Sequence, residues 1–585
     1  MKKIMSFAVL AVSMAVFQCC SAEDPLTDDN STNIWDNRGD NTIISGNSSS
    51  SVASGELVSL DVAIDRTTTE PATTAAAYYP DEEDNMDNNS FTTDVNITFN
   101  GSTVTCDQVD GVTITVNGAH VTADHGSAKG ICYIVSGTTT EGSLTIAGDK
   151  KYEVKLSGTD ITNPDSTALN LLSKKRAFIV LSGTNRLADG TSSKADDQKA
   201  ALYCKGKLLF SGDGSLEVYG NYNNAIQSAD YIVTEKGTNI YAKSAANHGI
   251  KANDGVIING GIVNVEVSGA AAKGINCESN ITVNGGRTTV IATGNGTYED
   301  GEAKGAAAIK CDSTYTQNGG EVYLKATGSG GKGLKTDWEA YITGGTLYAV
   351  TTGGTYSYSR DTASPKGIKI GEKSVHGLLN ISGGTVMVRT SGSEGIESKG
   401  TITVTDGSVQ VLSSDDAINS ASDMHLMGGS IVAVGTGNDG IDANGNMYIE
   451  GGNIVAFGAG GAESGIDTGE QYKLYITGGS VFGIGGRIDA TYTATTGSQP
   501  YVQATGGVTA NSTVTLQSGS STLASFQMPP FNYNNGTIMV SAPGMENGQS
   551  YTLNLGSSSQ TVTATTSASN GGMGGMGGGM PGGRW

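Results

Sequence analysis

Carboxylate-rich phrases in the second half of the chain are the residues whose chemistry is easiest to name. Seven oxygen-bearing side chains recur at equivalent points of three successive phrases: Glu394, Glu397, Asp415, Asp416, Asn419, Asp439 and Asp442. No Lys or Arg occurs between Lys399 and Lys473. Hard oxygen ligands without a basic partner favour a hard cation, and flexible carboxylate sites suit Ca²⁺. We therefore predict a calcium site, the alternative being a solvated ladder of Asp and Asn side chains at turns.

These phrases belong to a repeat that runs through the middle of the chain. Each unit opens with a small residue and an apolar one, continues through a polar turn, and ends in an alternating strand and a glycine pair. The openings are His248-Gly249-Ile250, Lys273-Gly274-Ile275, Ala307-Ala308-Ile309, Lys332-Gly333-Leu334, Lys366-Gly367-Ile368, Glu394-Gly395-Ile396, Asp416-Ala417-Ile418, Asp439-Gly440-Ile441 and Ser464-Gly465-Ile466. Glycine pairs follow one another at 22 to 27 residues, with two longer intervals of 34 and 39. A repeat of this kind is typical of a solenoid.

The hydrophobic period within each unit is two, as in Ile281-Thr282-Val283, so the units are strands. We predict an all-β fold, a right-handed single-stranded parallel β-helix solenoid with one coil per repeat, stacked at roughly 4.8 Å. If the opening Ile points inward, the residue two positions later does too. Cys277 and Cys311 then lie one above the other, either as a disulfide or as a reduced pair.

Stacking converts repeat positions into rows along the axis. One outward row contains Lys310 and Lys335, and a second contains Asp312 and Asp337. Like charges about 5 Å apart repel by roughly 1 to 3 kcal/mol near a surface, so each row needs a partner. The two rows either neutralise each other or form a strip that binds carboxylate-bearing sugars.

A further outward column contains Tyr323 and Tyr348, which we predict to form an exposed aromatic step for pyranose faces. The alternative is packing beneath an inserted loop at 353–365. That loop and a second insertion at 295–303 interrupt the regular repeat. Loops on a rigid scaffold are places where binding groups concentrate.

The ends of the chain differ in composition from the repeat. Residues 1–20 carry two lysines, an apolar run and Cys20, which predicts a lipoprotein signal peptide with Cys20 acylated. Residues 21–94 hold 16 Asp and Glu against two Arg, which predicts a disordered acidic tether. The β-helix is assigned to 95–495, a small C-terminal β cap to 496–566, and a disordered Gly/Met-rich tail to 567–585.

These assignments predict an outer-membrane lipoprotein that is exposed at the cell surface and attached to the membrane by its lipid. The formal net charge of −22 makes nucleic acid an unsuitable partner. We expect a monomer.

The phrases Asp415-Asp416-Ala417-Ile418-Asn419 and Asn438-Asp439-Gly440-Ile441-Asp442, with the paired glycines and the Gly/Met tail, resemble a bacterial carbohydrate-binding β-helix family related to polysaccharide lyases. The resemblance covers residue 95 to the C-terminus. It implies a calcium-containing parallel β-helix that binds cellulose and acidic sugars without demonstrated cleavage. The Asp-Asp-x-x-Asn order is also similar to the calcium motif of the family nine pectate lyases, which implies Asp415, Asp416 and Asn419 as ligands.

A calcium-dependent lyase also needs a Lys or Arg base beside the metal. Beyond the acidic phrases the sequence offers only Lys473 and Arg487, several coils away, while Lys399 lies beside Glu397. We therefore predict a non-catalytic, surface-anchored binder of polysaccharide, cellulose-like or uronic-acid-containing. The alternatives are a pectate-lyase-like polysaccharide lyase and a structural adhesin or spacer.

Overall fold

The computed structural model describes residues 60–73, 75–194, 197–372 and 376–567. Residues 1–59, including Cys20, and residues 568–585 lie outside the described part, so the signal peptide, the first part of the tether and nearly all of the tail are not addressed by it. The described chain is a stack of coils, each built from three short strands. Its only helices are two single 3₁₀ turns, Glu82–Asp84 and Met86–Asn88.

The first strand of each coil joins a 15-stranded sheet, which we call the opening ladder. All of its pairings are parallel except the first. Its strands are Thr113–Asn117, Ala119–Asp124, Gly142–Ala147, Leu169–Leu171, Ala200–Cys204, Asn224–Ser228, Ile250–Ala252, Lys273–Cys277, Ala307–Cys311, Lys332–Thr336, Lys366–Ile370, Ile396–Ser398, Ile418–Ser420, Ile441–Ala443 and Ile466–Thr468.

The other two strands of each coil form two parallel series within a 28-stranded sheet. The middle ladder comprises Ala177–Ser182, Leu208–Gly212, Tyr231–Thr234, Gly255–Ile258, Asn280–Val283, Thr314–Gln317, Glu339–Ile342, Met424–Leu426, Met447–Ile449 and Leu474–Ile476. The closing ladder comprises Thr184–Asp189, Ser215–Gly220, Asn239–Ser244, Ile262–Val267, Arg287–Ala292, Glu321–Ala326, Thr346–Thr351, Ser430–Gly435, Asn453–Phe457 and Ser480–Gly485. Four long strands run through both series: Ile131–Thr139, Tyr152–Asn163, Leu378–Thr390 and Thr401–Ser413. The hairpin strands Thr93–Asn100 and Thr103–Cys106 begin this sheet.

The register follows the buried isoleucines, as predicted. Ile275 pairs with Ile309, and the residues two positions later, Cys277 and Cys311, pair with each other and are fully buried. The two sulfurs are free, as are the other described cysteines. The predicted all-β solenoid of stacked parallel coils is confirmed.

A pair of glycines forms the turn between the middle strand and the closing strand of most coils. Glycine is required there because neither position of the turn accepts a side chain. The second glycine of the pair has a positive φ, for example +70° at Gly286, a conformation that glycine adopts without strain. A Cβ on the first glycine, Gly285, would lie 2.6 Å from the carbonyl oxygen of Asn259 on the neighbouring coil. The turn therefore sets how closely successive coils approach.

The C-terminal residues form the small β unit expected there. Tyr501–Val508 and Tyr533–Ser541 add antiparallel strands beyond the last closing strand. A separate four-stranded antiparallel sheet contains Thr513–Ser518, Ser521–Gln527, Ser550–Leu555 and Ser559–Thr563. Phe482 of the last coil and Phe526 of this sheet pack 5.3 Å apart, so the cap buries the end of the core.

Residues 60–73 and 75–92 differ from the disordered tether that the sequence predicted for 21–94. They form a strap that crosses the outside of the coils before the first strand begins. At one end Leu60 and Val62 are buried against Tyr348 and Met387, with Tyr323 at the margin of the cluster. The loop at 353–365 does not supply this cover.

Polar contacts, together with the packing of Met86 and Phe91 against Phe178, hold the rest of the strap. Glu70 accepts hydrogen bonds from the backbone N–H groups of Gly237 and Gly261, at 2.9 and 2.7 Å. At the other end Asp84, 2% exposed, accepts from Arg176 Nε at 2.7 Å and from the Tyr231 hydroxyl at 2.6 Å. Because the strap contains few apolar residues, these long-range contacts replace a hydrophobic core of its own.

Replacing Asp84 with Ala removes the three hydrogen bonds that its carboxylate accepts, from Arg176, from Tyr231 and from the Asp81 N–H, and it takes away one of the three acidic partners of the half-buried Arg176. We expect Asp84→Ala to lower the free energy of unfolding by about 2 to 3 kcal/mol and to make residues 60–92 accessible to protease. Chemical denaturation and limited proteolysis measure the two effects. The neighbouring Glu82 is exposed, so Glu82→Ala is the matched control. Equal behaviour of the two variants would show that Asp84 does not anchor the strap.

Candidate functional site

Two rows of polar residues accompany the opening ladder. The opening row consists of the first residue of each phrase: His248, Lys273, Ala307, Lys332, Lys366, Glu394, Asp416, Asp439 and Ser464. The outward row consists of the residue after each opening Ile or Leu: Lys251, Asn276, Lys310, Lys335, Lys369, Glu397, Asn419, Asp442 and Asp467. Both rows change from basic to acidic at the same coil. The solenoid therefore carries a charge gradient along one edge.

The lysines of the outward row pair with carboxylates on their own and neighbouring coils. Lys310 contacts Asp312 directly and lies 3.1 Å from Asp337, and Lys335 lies 3.3 Å from Asp337. Lys335 also pairs with Glu372. The sequence left two interpretations of these rows: mutual neutralisation, or a strip that binds carboxylate-bearing sugars. The contacts favour mutual neutralisation of the four residues Lys310, Lys335, Asp312 and Asp337.

The coil at which the charge changes contains an ion-pair cluster that the sequence reasoning missed. Lys366 pairs with Glu394 and lies 3.5 Å from Glu397, which also pairs with Lys399. Burial favours protonation of Glu394, but Lys366 lowers its pKa below the usual value. Glu394 and Glu397 therefore have basic partners, contrary to the expectation that these acids had none. The sequence contained a signal for this ion pair: Lys366 and Glu394 are the first residues of two successive phrases, so they are neighbours once the coils stack.

The remaining acids lie on three successive coils without a Lys or Arg in ion-pair contact, among the described residues. Burial first, and then neighbouring carboxylates, raise the pKa of Asp416 and Asp439 to about 7 and that of Asp442 to about 8. Asp467, on the next coil, has its pKa raised to about 6, chiefly by burial. We call Asp416, Asp439, Asp442 and Asp467 the acidic row.

Backbone and amide donors satisfy part of the acidic row. Asp416 accepts from the Asp439 N–H at 3.0 Å, and Asp439 accepts from the Ser464 N–H at 2.5 Å. The Asn419 amide nitrogen donates to both Asp416 and Asp442, at 3.1 and 2.6 Å. One oxygen of Asp467 is buried with no hydrogen-bond partner.

The fit of this row to a metal ion is incomplete. Within the described ranges, no group of three or more Asp, Glu, His or Cys side chains is close enough together to hold an ion. Asp415 is directed elsewhere, accepting from the Asn438 amide at 3.1 Å and from Ser393 at 3.5 Å. The row supplies unneutralised oxygen atoms, which suit a hard cation. Bringing them to one ion requires side-chain rotation, including a turn of the Asn419 amide that points its oxygen inward.

Tyr323 and Tyr348 do not form the predicted exposed step. Their ring centroids are 5.0 Å apart, but the rings meet edge to face at 85°. Tyr348 is 8% exposed because Leu60 and Val62 of the strap cover it. The pair anchors the strap and offers no flat surface for a sugar.

An aromatic row does lie on the outer face of the middle ladder, two coils beyond the strap contact. His425, Tyr448 and Tyr475 occupy paired positions on consecutive coils. Their ring centroids are 4.6 and 5.0 Å apart, and both interplanar angles are 7°. All three side chains are half-exposed. Their central position in the alternating triplets Met424–Leu426, Met447–Ile449 and Leu474–Ile476 was the available sequence signal.

Polar residues border the aromatic row on both sides. Asp423, Asn446 and Lys473 precede the three rings, and backbone-to-side-chain hydrogen bonds join them coil to coil, at 2.8 and 3.1 Å. On the other side the Glu450 carboxylate lies 3.7 Å from His425 Nδ1. The face thus combines a central row of stacked aromatic rings, whose edges point outward, with polar residues on both sides.

Comparison with known proteins identifies relatives of the chain. A family model described as carbohydrate-binding domain-containing protein matches residues 111–271, 242–434 and 374–527. A carbohydrate-binding domain-containing protein of Acetivibrio thermocellus is 31% identical over 165 residues, covering 26% of this chain and 55% of that protein. The chain thus spans about half the length of this curated relative.

One solved structure also aligns with the chain. It is a polysaccharide lyase-like protein from C. thermocellum, studied as a gadolinium derivative, with 18% sequence identity and a TM-score of 0.26. The alignment covers 57% of this chain and 96% of that one. Separately, no helix among the residues described here is long and apolar enough to cross a membrane.

Lys332 of the opening row provides a test of the charge gradient. Burial, followed by repulsion from Lys369, Lys335, Lys366 and Lys273, lowers its pKa from 10.5 to about 7. The folded state therefore disfavours the charged form, and stability falls as the pH decreases from 10.5 to about 7. We expect Lys332→Met to raise the melting temperature near pH 7 and to raise it less near pH 10.

The matched control is Lys236→Met, which removes an exposed lysine of the same chain. Its melting temperature should follow that of the parent across the pH range. A Lys332→Met effect of equal size at both pH values would mean that the side chain acts through packing and not through its charge.

Proposed function

The chain belongs to the family of carbohydrate-binding domain-containing proteins, and on this premise we propose that it binds a polysaccharide without cleaving it. The observation that supports this proposal is the aromatic row His425, Tyr448 and Tyr475 on an outer sheet face. Aromatic side chains with a polar end are suited to surfaces that are part apolar and part wet. A sugar chain has the same mixture of C–H faces and hydroxyl groups.

The geometry of the aromatic row favours an extended chain over a single sugar. Its rings repeat at the coil spacing, about 4.8 Å, so equivalent contacts recur along the solenoid axis. Because the rings stack on one another, they present edges and polar atoms outward along the row. The bordering Asp423, Asn446 and Glu450 add acceptors and an amide for hydroxyl groups. A cellulose-like chain, or one that contains uronic acid, laid along the axis satisfies this arrangement.

Calcium binding is the second part of the proposal. Asp416, Asp439 and Asp442 have no ion-pair partner among the described residues, and burial, followed by repulsion from neighbouring carboxylates, raises the pKa of each carboxyl group. A divalent cation removes this repulsion at once. Asn419, already bridging Asp416 and Asp442, supplies a further oxygen when its amide turns. Calcium bound there would order the coils beside the aromatic row.

Lyase chemistry is the second candidate function, favoured by one observation. Lys332 and Lys273, with pKa values lowered to about 7 and about 8, have the protonation behaviour of a general base. Lys332, however, is three coils from Asp416, roughly 14 Å along the axis. A base that acts on a sugar held by calcium must reach the same sugar ring. Binding without cleavage is therefore the better-supported function.

The N-terminal sequence completes the proposal. We place a lipid on Cys20, so that residues 21–59 connect an outer-membrane anchor to the strap at Leu60. The strap then joins the solenoid by its contacts with Met387 and Arg389; the Leu60 carbonyl accepts from Arg389 at 3.0 Å. The polysaccharide-binding face would be displayed at the cell surface.

Removing calcium should destabilise the parent protein. A ligand present at a hundredfold excess over its Kd stabilises a fold by about 2.7 kcal/mol, so the melting temperature should be higher in Ca²⁺ than in EDTA. The double variant Asp416→Asn/Asp442→Asn should show no such difference. Asp213→Asn, at an exposed aspartate outside the row, should retain it. A parent protein whose melting is unchanged by EDTA contradicts calcium binding.

Replacing the aromatic row should weaken polysaccharide binding. We expect Tyr448→Ala/Tyr475→Ala to lose roughly tenfold or more in affinity, because two ring contacts disappear. Affinity electrophoresis in gels with neutral or uronic-acid polysaccharides measures this. Tyr222→Ala removes an exposed ring elsewhere and is the control; Tyr222 is 42% exposed.

The same samples decide among the alternatives. A parent protein that no polysaccharide retards would favour the spacer function. Release of unsaturated sugars from polygalacturonate would establish the lyase.

A further inference from the structure

Two inserted hairpins meet on the edge of the solenoid that carries the opening row. The first is Thr297–Glu299 with Glu302–Lys304, and the second is Tyr356–Tyr358 with Asp361–Ala363. They arise from coils that are not adjacent, because the coil between them has only the short turn 327–331. The sequence reasoning noted both insertions but not that they come together.

Specific contacts join the two hairpins. The Ala303 N–H donates to the Asp361 carboxylate at 2.6 Å. The rings of Tyr298 and Tyr358 stack with centroids 4.4 Å apart and an interplanar angle of 25°. These two rings are 42% and 52% exposed, among the most exposed large apolar side chains of the described chain. A stacked pair that remains open to solvent has a free aromatic surface, because contact between two rings covers only one face of each.

Glycines in the short turn 327–331 and at the base of the first hairpin allow this close approach. A Cβ on Gly305 would lie 1.8 Å from the carbonyl oxygen of Gly330, and a Cβ on Gly330 would lie 3.0 Å from the Ala363 side chain. The Gly330 N–H donates to the Gly354 carbonyl at 2.8 Å. The bases of both hairpins therefore enclose this turn.

Lys332 lies at the same place. Its ammonium donates to the Gly330 carbonyl at 2.7 Å, and the residue is 7% exposed. Among the described residues no carboxylate forms an ion pair with Lys332 or with Lys273, whereas Lys310, Lys335, Lys366 and Lys369 all have one. A buried cation without a counter-charge is costly. An anionic group on a ligand would supply the missing partner.

We propose that the paired hairpins and Lys332 form an acidic-sugar site, in which the Tyr298 and Tyr358 rings contact a pyranose and Lys332 binds its carboxylate or sulfate group. This site is separate from the aromatic row, and it rests on the proposed function because it specifies one kind of sugar that the protein binds. The lowered pKa values of Lys332 and Lys273 fit a cluster whose positive charge is not internally balanced.

The acids on the hairpin tips do not cancel this attraction. Asp300 and Glu302 pair with Lys304, and Asp361 is held by the Ala303 N–H. Glu299 and Arg360 carry opposite charges, and both are exposed. Exposed charges are screened by water and salt, whereas the ammonium of Lys332 is largely removed from solvent. The hairpin acids therefore leave Lys332 without a counter-charge among the described residues.

The test compares three tetrasaccharides by isothermal titration calorimetry on the full protein: oligogalacturonate, a sulfated oligosaccharide and a neutral β-1,4-glucan. Tyr298→Ala/Tyr358→Ala should weaken binding of the preferred acidic ligand roughly tenfold. Lys332→Met should remove the preference for the acidic ligand over the neutral one, and the stronger of the two acidic ligands identifies the anionic group. Tyr222→Ala should change neither affinity nor preference.

The outcomes separate this site from the proposed function. If the parent binds acidic sugar and the hairpin variants bind it equally well, the hairpin site is wrong while polysaccharide binding stands. Loss of acidic-sugar binding in Tyr448→Ala/Tyr475→Ala alone would place the ligand on the aromatic row and overturn the hairpin site. If the parent binds none of the tetrasaccharides and no polysaccharide, both proposals fail. A melting temperature of Lys332→Met that is no lower than that of the parent, checked in the same buffer, excludes unfolding as the cause of a lost preference.

Discussion

In-register stacking of the coils is the constraint on which the other features of this protein depend. Each coil hydrogen-bonds to the next through its backbone, so a residue and its equivalent one repeat later become neighbours about 4.8 Å apart. The pairings Glu397 with Asn419 and Asn419 with Asp442 show this directly. A single side-chain choice, once repeated, becomes a row, and any unfavourable interaction within that row is repeated as well.

The charges along one edge are arranged in three different ways, of which the first two relieve the repulsion. Lysines and acids alternate across neighbouring positions in the basic half, as in Lys310 with Asp337. Lys366 joins the two halves through Glu394. The acidic row instead remains unbalanced, and so do Lys273 and Lys332 of the opening row. Charges that are already paired within the protein have little need of a further partner. The unpaired carboxylates and lysines are therefore the positions where an ion or a charged ligand is most readily accommodated.

The sequence was sufficient to predict the coils but not the surfaces that cover them. Ile275 and Cys277 alternate with polar residues, and burial every second residue leaves only one possible register. The strap has no such period, and contacts such as Asp84 with Tyr231 join positions 147 residues apart. Tyr323 and Tyr348 were placed in the correct column, yet their exposure depended on Leu60 and Val62. The ion pair of Lys366 with Glu394 was overlooked because Lys366 is the first residue of its strand, directly after a turn. At that position the alternation of buried and exposed residues does not fix the direction of the side chain.

The strap covers some outer faces of the solenoid and leaves others open. This coverage, more than the amino-acid composition of each face, determines which faces are accessible to a polysaccharide. The strap contacts the closing ladder at Met387 and reaches the middle ladder at Tyr231, so these coils lose part of their outer surface. The strap does not extend to the coils of His425, Tyr448 and Tyr475. The hairpins of Tyr298 and Tyr358 follow the closing strands, whereas the glycine turns that the strap crosses precede those strands, so the hairpins project away from the strap. Both proposed sugar sites are thus on surfaces that the described residues leave uncovered, and the aromatic pair that the strap covers, Tyr323 and Tyr348, serves to hold it.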